Sequence, residues 1–291
     1  MDEESGTISV PTIPEIRRDN TDRNRTSPFA FTGNKFEFRM PGSSINSSAA
    51  MTALNTMMGW QLRKFINDVQ ALKDKGDAQQ LAIYKTLKDY IVQSKSIRFE
   101  GDNYSDEWVE EAESRGLNNY RTTPEALQAY VEDKAMELFT SSGVFTEREL
   151  SAHYEVMQEN YILKIDIESR TLEELCLNYV LPAAVQYQNE LAGNVLKMKD
   201  TGFKKKDLNY QMEFIERIQD AISNMHEIGK QMTAERNKAM EEDSASSQAM
   251  YYASKVVPLM QDLRNHADEL ELLVSDEYWR LPKYREMMFI R

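Results

Sequence analysis

Cysteine is almost missing from this sequence, since Cys176 is the single cysteine among 291 residues. No disulfide can form within the chain, and the composition favours a reducing compartment. Cys176 lies in an apolar stretch of helical character. In that setting a packed structural thiol is expected rather than a nucleophile.

Long hydrophobic runs are also missing, because no stretch approaches the roughly 18 apolar residues of a membrane-spanning helix. The opening residues MDEESG are acidic and lack the basic and then apolar order of a secretory signal. We therefore expect a cytoplasmic protein with no membrane partner.

Positive charge is in deficit, with 35 lysines and arginines against 48 aspartates and glutamates and a net charge of -13. General affinity for nucleic acid needs clustered cations, so no nucleic-acid partner is expected. Hydrophobic residues make up 41% and charged residues 29%, which is typical of a packed globular chain. The length allows one large domain or two smaller ones.

Glycine and proline are sparse beyond residue 46. Residues 1–46 are crowded with Gly, Pro, Asn, Ser and Thr, which limits regular structure to short strands over 7–10 and 35–40. From Ser47 onward Ala, Leu, Met, Glu, Lys and Gln dominate, which indicates a nearly all-helical region. The sequence predicts a mainly α fold with a short β segment in 1–46 and a helical domain in 47–291.

Capping signals divide the helical region. They predict helices over 47–75, 77–94 and 105–116, two of them starting at serines. A fourth helix is expected to start with Thr123 as its cap, followed by Pro124 in its first turn, and to end before residue 143.

The longest helical pattern begins at Thr146 and Glu149, which fit a capping box, and continues to Lys199. Pro182 should kink or divide it, because proline lacks the backbone donor that a helix interior requires. After a turn, residues 205–241 and 245–275 predict two long helices in an antiparallel hairpin.

Apolar residues recur at helical spacing in both arms of that hairpin, which favours a packing seam, with a ligand groove as the alternative. The seam residues are Leu208, Met212, Ile215, Ile218, Ile222, Met225, Met232, Val256, Leu259, Leu263, Leu270 and Leu273 or Val274.

The strand over 35–40 carries the clearest candidate chemistry. Glu37 and Arg39 are two residues apart and share one strand face with Lys35. Glu37 can offer a hard oxygen ligand to Mg2+ or Mn2+, and Arg39 can hold a carboxylate or phosphate in a bidentate contact. Arg25 lies on a loop long enough to return to this strand. From the residues alone, an exposed strand of mixed charge remains the alternative.

Residues 24–39, NRTSPFAFTGNKFEFR, closely resemble the active-site stretch of type III glutamine synthetases. The likeness continues through GSSINSSAAM at 42–51, SKSIRFEGDNYSDEW at 94–108 and YWRLPKYREMMF at 278–289. The resemblance implies that 1–46 end the catalytic domain and that 47–291 form the family's helical C-terminal domain.

That resemblance also implies an activity: ATP-dependent joining of glutamate to ammonia through a γ-glutamyl phosphate, with Mg2+ or Mn2+, in a homo-oligomer that is dodecameric in the family. It assigns Glu37 to the metal, and Arg39 to substrate carboxylate or phosphoryl oxygens. Arg25 is assigned to the nucleotide phosphate or the intermediate. Lys35 stands where the type I pattern has an arginine, and it is assigned with Arg25 to nucleotide binding.

One strand glutamate cannot supply the six oxygen ligands of such a metal. The resemblance implies that the other ligands lie upstream of this stretch, and only about 20 residues precede the Asn-Arg pair here. We therefore expect an N-terminally truncated synthetase that is inactive by itself. The alternative is a non-catalytic helical assembly or regulatory protein derived from a synthetase tail.

Other candidate sites are weaker. His153, His226 and His266 are dispersed without a second ligand at helical spacing, so structural histidines are expected. The cluster Lys204–Lys206 fits a helix start rather than a phosphate site. The aromatic residues of the C-terminal region fit internal packing, with a subunit contact as the alternative. These aromatic residues are Tyr251, Tyr252, Tyr278, Trp279 and Tyr284.

Overall fold

The computed structural model describes residues 29–31, 35–38, 46–98 and 105–288. Contacts divide the chain into two compact units, Met1–Asn119 and Tyr120–Arg291. In the described part of both units helices predominate, which confirms the mainly α fold.

The first unit contains a short antiparallel pair of strands. Strand β1 is Phe29–Phe31 and strand β2 is Phe36–Phe38, with Ala30 opposite Glu37 in the register. The strand predicted over 35–40 is therefore present at its centre. The other predicted strand, 7–10, lies outside the described residues.

Three α-helices follow in this unit, close to the predicted bounds: α1 is Ser48–Asp74, α2 is Gln79–Gln93 and α3 is Asp106–Ser114. A 3-10 turn over Ser94–Ile97 continues α2. Gly76 ends α1 with a φ of 102°, a left-handed conformation that glycine adopts at little steric cost.

The second unit starts with a region where the prediction was wrong. One helix was expected from Thr123, but α4 is Thr123–Leu127, a 3-10 turn follows, and α5 is Asp133–Ser141. The break falls at Glu132, whose backbone is extended with ψ at 147°. The cap is Thr122 and not the following threonine, because the carboxylate three residues after Thr122 accepts its backbone N–H.

The longest helical run confirms two predictions: Thr146 caps its first helix, and the run is divided close to Pro182. Helix α6 is Glu147–Leu175 and helix α7 is Leu181–Asp200, separated by a π-helical turn at Cys176–Val180. Pro182 cannot donate a backbone hydrogen bond, and the wider turn before it accommodates the missing donor.

The hairpin predicted from 205–241 and 245–275 is present. A 3-10 turn at Lys205–Leu208 leads into α8, Asn209–Ala239. The second arm consists of α9, a π-helical turn and α10. Their bounds are Ala245–Tyr251, Tyr252–Val256 and Val257–Leu273.

The π-helical turn in this second arm was not predicted. It precedes Pro258 by the spacing seen before the proline of α7. A short helix α11, Tyr284–Met287, closes the described chain.

Two contacts show that the arms of the hairpin are antiparallel. The hydroxyl of Tyr251 donates to Glu235 at 2.6 Å near the connection, and Arg217 pairs with Glu269 at 3.2 Å far from it. The predicted seam is the core of this unit. Its fully buried members include Leu208, Ile218, Met225, Met232, Val256, Leu263 and Leu270.

No helix in the described part of the chain combines the length and apolar character that crossing a bilayer requires.

The cap of α6 supports a first prediction. The Thr146 hydroxyl accepts the backbone N–H of Glu149 at 3.3 Å, and the Thr146 N–H donates to the Glu149 carboxylate at 2.8 Å. We expect Thr146→Ala to lower the free energy of unfolding by about 1 kcal/mol. Urea denaturation followed by circular dichroism measures this loss.

Thr171→Ala, in the exposed interior of α6, is the matched control and should be neutral or slightly stabilising. Equal losses in both variants would contradict the capping role.

Candidate functional site

The predicted site strand is β2, and its geometry is described for two of the four candidate residues. Lys35 and Glu37 lie together, with Lys35 Nζ 3.3 Å from Glu37 Oε1. The side chains are 65% and 34% exposed. Arg25 and Arg39 lie outside the described residues, so their assigned roles stay predictions.

Aromatic packing holds the short strand pair. The rings of Phe29 and Phe36 stack with centroids 4.7 Å apart and planes inclined by 15°. Side chains alternate across a strand, so Phe36 projects from the face opposite Glu37. This arrangement leaves the carboxylate on the polar face of β2.

The Glu37 carboxylate has the donor chemistry that suits a hard divalent cation, but one residue is too few ligands for a metal site. Its carboxylate oxygens are the donors that Mg2+ and Mn2+ prefer, and an exposed ion pair with lysine is weak enough for a cation to displace. The described residues contain no group of three or more His, Cys, Asp or Glu that could hold a metal. A complete site therefore needs ligands from outside these residues.

A buried polar cluster in the helical unit was not predicted. Arg236 on α8 is 5% exposed at its side chain and pairs with the Glu173 carboxylate of α6. It also donates to Ser169 Oγ at 3.4 Å and to Thr233 Oγ1 at 3.1 Å. The Thr233 hydroxyl in turn donates to Glu173 at 2.9 Å. These bonds fasten α6 to α8 through a charge pair in a largely apolar interior.

The same cluster extends along α6 to Asp166. Burial acts to raise the pKa of Asp166, but hydrogen bonds from Arg170 and Tyr252, and the positive charges of Arg170 and Arg236, outweigh it and lower the pKa below its usual range. Burial is also the largest cause that raises the pKa of Tyr252, to about 12. The tyrosine hydroxyl donates to Asp166 at 3.1 Å, so it stays protonated at neutral pH.

The lowered pKa of Asp166 predicts a pH dependence of stability. A carboxyl whose pKa falls on folding stabilises the fold above its unfolded pKa, near about 4, and the contribution disappears as pH falls through the folded value. We expect Asp166→Asn to be destabilising at pH 7 and to lose less further stability on acidification than the unchanged chain. Urea denaturation across the acid range measures both. Parallel pH profiles for the two proteins would contradict this role.

Cys176 is buried, as predicted, in the π-helical turn after α6. Burial raises the pKa of its thiol to about 12. The thiolate is the reactive form, so we expect a thiol reagent to modify native protein slowly and unfolded protein at the ordinary rate of a free cysteine. A native rate as fast as that in denaturant would contradict the structural role.

A groove of about 280 Å³ opens on the helical unit beside this cysteine. Its apolar lining comes from the π-helical turn and from α7, α8 and α10, and its polar lining comes from α6 and α8. The apolar residues are Cys176, Leu177, Leu181, Met225 and Leu263.

The remaining candidates lie in the helical unit, and the structure gives a packing role to His153 and a helix-start role to Lys204. The ring of His153 packs on Phe145 with centroids 4.9 Å apart, and His266 lies 3.9 Å from Glu269. Lys204 is a helix-start residue, since its backbone N–H donates to Asp207 at 3.0 Å. His226 lines the groove.

Four of the five C-terminal aromatic residues pack against the core of the helical unit. Tyr278 donates to Glu190 at 2.8 Å, and Trp279 packs against the core. Tyr252 is 1% exposed and belongs to the same core. Internal packing, the favoured interpretation, is therefore observed for Tyr251, Tyr252, Tyr278 and Trp279.

Comparison with known proteins gives the same family as the strand motif. Residues 82–199 match the family model described as the glutamine synthetase C-terminal domain. The chain is 42% identical over 288 residues to a glutamine synthetase of Bacteroides fragilis (strain YCH46), covering 98% of this chain. It is 36% identical over 293 residues to a type-3 glutamine synthetase of Dictyostelium discoideum and 34% identical over 277 residues to a glutamine synthetase of Butyrivibrio fibrisolvens.

The chain spans 39% of the length of the first two relatives and 38% of the third. The helical fold, together with these matches, shows that the chain contains a C-terminal domain of the glutamine synthetase class. The chain belongs to the glutamine synthetase family and is the counterpart of the C-terminal part of its relatives. The type-3 enzyme among them agrees with the type III resemblance of residues 24–39.

Proposed function

We propose that this chain supplies one strand of a glutamine synthetase active site and the helical domain attached to it. The reaction joins glutamate and ammonia at the expense of ATP, through a γ-glutamyl phosphate. One observation carries the proposal: the match to the Bacteroides fragilis glutamine synthetase covers 98% of the chain, so it includes residues 24–39.

Within that site each candidate residue has a separate task. Glu37 contributes a carboxylate ligand to Mg2+ or Mn2+, and the cation, when bound, offsets the charge of the transferring phosphoryl group. Arg39 holds substrate carboxylate or phosphoryl oxygens through its planar guanidinium. Arg25 and Lys35 add positive charge beside the nucleotide phosphates, where electrostatic stabilisation contributes most to phosphoryl transfer.

The wider setting belongs to the same proposal. Residues 1–46 are the end of the catalytic domain, and residues 47–291 are the helical C-terminal domain. The active form is a cytoplasmic homo-oligomer, a dodecamer by the family expectation. Neither nucleic acid nor a membrane is a partner, in keeping with the net charge of -13.

A graft tests the proposal. The 291 residues replace the matching segment of the Bacteroides fragilis relative, and glutamine formation from glutamate, ammonia and ATP is measured. We expect the graft to be active and the 291-residue polypeptide by itself to be inactive, because one carboxylate cannot hold the metal. An inactive but folded graft would favour the non-catalytic assembly protein. Activity of the polypeptide alone would contradict the incomplete metal site.

A further inference from the structure

The ion pair beside strand β2 joins two residues that have different partners in the proposed function. Lys35 Nζ lies 3.3 Å from Glu37 Oε1. The proposed function, on which this inference rests, places the Glu37 carboxylate on a divalent cation and the Lys35 ammonium beside the nucleotide phosphates. The structure pairs the two side chains with each other. Each of them therefore has a partner besides the one that catalysis requires.

The exposure of this pair favours an exchange of partners. The Lys35 side chain is 65% exposed and the Glu37 side chain is 34% exposed. Exposed ion pairs contribute little free energy, so the contact between these two side chains is easily broken. Lysine carries its charge at the end of a flexible four-carbon stem, which lets the ammonium move between acceptors within its reach. An arginine at this position would hold the carboxylate through two parallel hydrogen bonds and would exchange less readily.

The position of Lys35 makes it a competitor for the Glu37 carboxylate. Lys35 immediately precedes β2, and residues two apart along a strand share one face. The residue opposite Glu37 in the register is Ala30, an uncharged residue. A positive charge 3.3 Å from the carboxylate opposes the binding of a further cation there, because like charges at such a separation repel. Lys35 and a divalent cation therefore compete for the same oxygen atoms.

We infer that Lys35 is an exchangeable cation that couples metal binding to nucleotide binding. With Glu37 as its partner, the Lys35 ammonium neutralises the carboxylate and is withheld from phosphate. Once Glu37 is committed to a divalent cation, Lys35 is repelled from the carboxylate and becomes available to the nucleotide phosphates. The exchange makes and breaks ion pairs alone, without covalent chemistry. By linkage, a nucleotide that holds Lys35 favours metal binding at Glu37 by the same factor.

Mn2+ binding in the absence of nucleotide tests the competition. Lys35→Met, introduced into the graft with the Bacteroides fragilis relative, removes the competing charge and keeps most of the side-chain length. We expect Mn2+ to bind about tenfold more tightly, as measured by electron paramagnetic resonance. Lys164→Met is the matched control, because Lys164 is 63% exposed and forms an exposed pair with Glu168, and it should leave Mn2+ binding unchanged. Lys35→Arg keeps the charge and should bring no gain in affinity.

A double-mutant cycle with ATP in the presence of a metal chelator tests the exchange itself. Glu37→Gln releases Lys35 from its ion pair, so it should tighten metal-free ATP binding by about threefold, as measured by calorimetry. In the Lys35→Met background the same substitution should have a clearly smaller effect, because no lysine is present to be released. The difference between the two backgrounds isolates the coupling from the general loss of one negative charge.

The outcomes separate this inference from the proposed function. If Glu37→Gln leaves Mn2+ binding unchanged, the proposed metal ligand fails, and the exchange fails with it. If Glu37→Gln weakens Mn2+ binding but Lys35→Met binds Mn2+ no more tightly than Lys164→Met does, the exchange alone is overturned. Equal effects of Glu37→Gln on ATP binding in the two backgrounds would also overturn it and leave the metal ligand in place.

Discussion

Glu37→Gln, introduced into the active graft with the Bacteroides fragilis relative, should lower kcat by about 100-fold or more. A bound divalent cation stabilises transition-state charge by several kcal/mol, and each 1.4 kcal/mol corresponds to about tenfold in rate. Glutamine has nearly the shape of glutamate but lacks its charge, so the loss reports on the ligand and not on strand packing. Steady-state kinetics of glutamine formation measures it.

The control for this variant is Glu159→Gln, which removes the same charge from an exposed position on α6. We expect the control to keep the kcat of the unchanged graft. An unchanged kcat in Glu37→Gln would show that Glu37 is not a metal ligand, whereas the same loss of kcat in both variants would point to a general charge effect.

Arg236→Met should produce the largest loss of stability, about 3 kcal/mol or more in the free energy of unfolding. Methionine fills much of the arginine volume, but the substitution leaves the half-buried Glu173 carboxylate without its cation. Removing one partner of a buried pair is strongly destabilising, because a desolvated charge stays behind. Urea denaturation followed by circular dichroism measures the change.

Two further variants separate the charge from the packing. Arg217→Met, on the same helix, removes a cation whose pair with Glu269 is exposed, and it should change stability by no more than about 1 kcal/mol. Adding Glu173→Leu to Arg236→Met should recover much of the lost stability, since apolar replacements of a buried pair are often neutral. A double variant as unstable as the single one would contradict this explanation.

Local signals explain why much of the helical fold could be predicted. The cap at Thr146 and the division at Pro182 depend on neighbouring residues and on the missing proline donor, both visible in the sequence. The break at Glu132 was missed because no glycine or proline marks it in the sequence, although the backbone there is extended. The π-helical turn before Pro258 shows that a proline can change helix geometry without ending the helix.

Of the functional and buried polar residues, the sequence predicted the strand pair but missed the buried arginine. Strand alternation placed Lys35 and Glu37 on one face, and the structure brings their charges to 3.3 Å. Arg236 was missed because a charged residue in a long polar helix gives no sequence sign of burial. Its partners Ser169 and Glu173 are more than 60 residues away along the chain, so only the packing of α6 on α8 reveals them.

Binding of Mn2+ to the graft, followed by electron paramagnetic resonance, tests the central claim most directly. If β2 supplies a metal ligand, Glu37→Gln should weaken Mn2+ binding by about 100-fold, and Glu159→Gln should leave it unchanged. Identical Mn2+ binding in the unchanged graft and in Glu37→Gln would contradict the account.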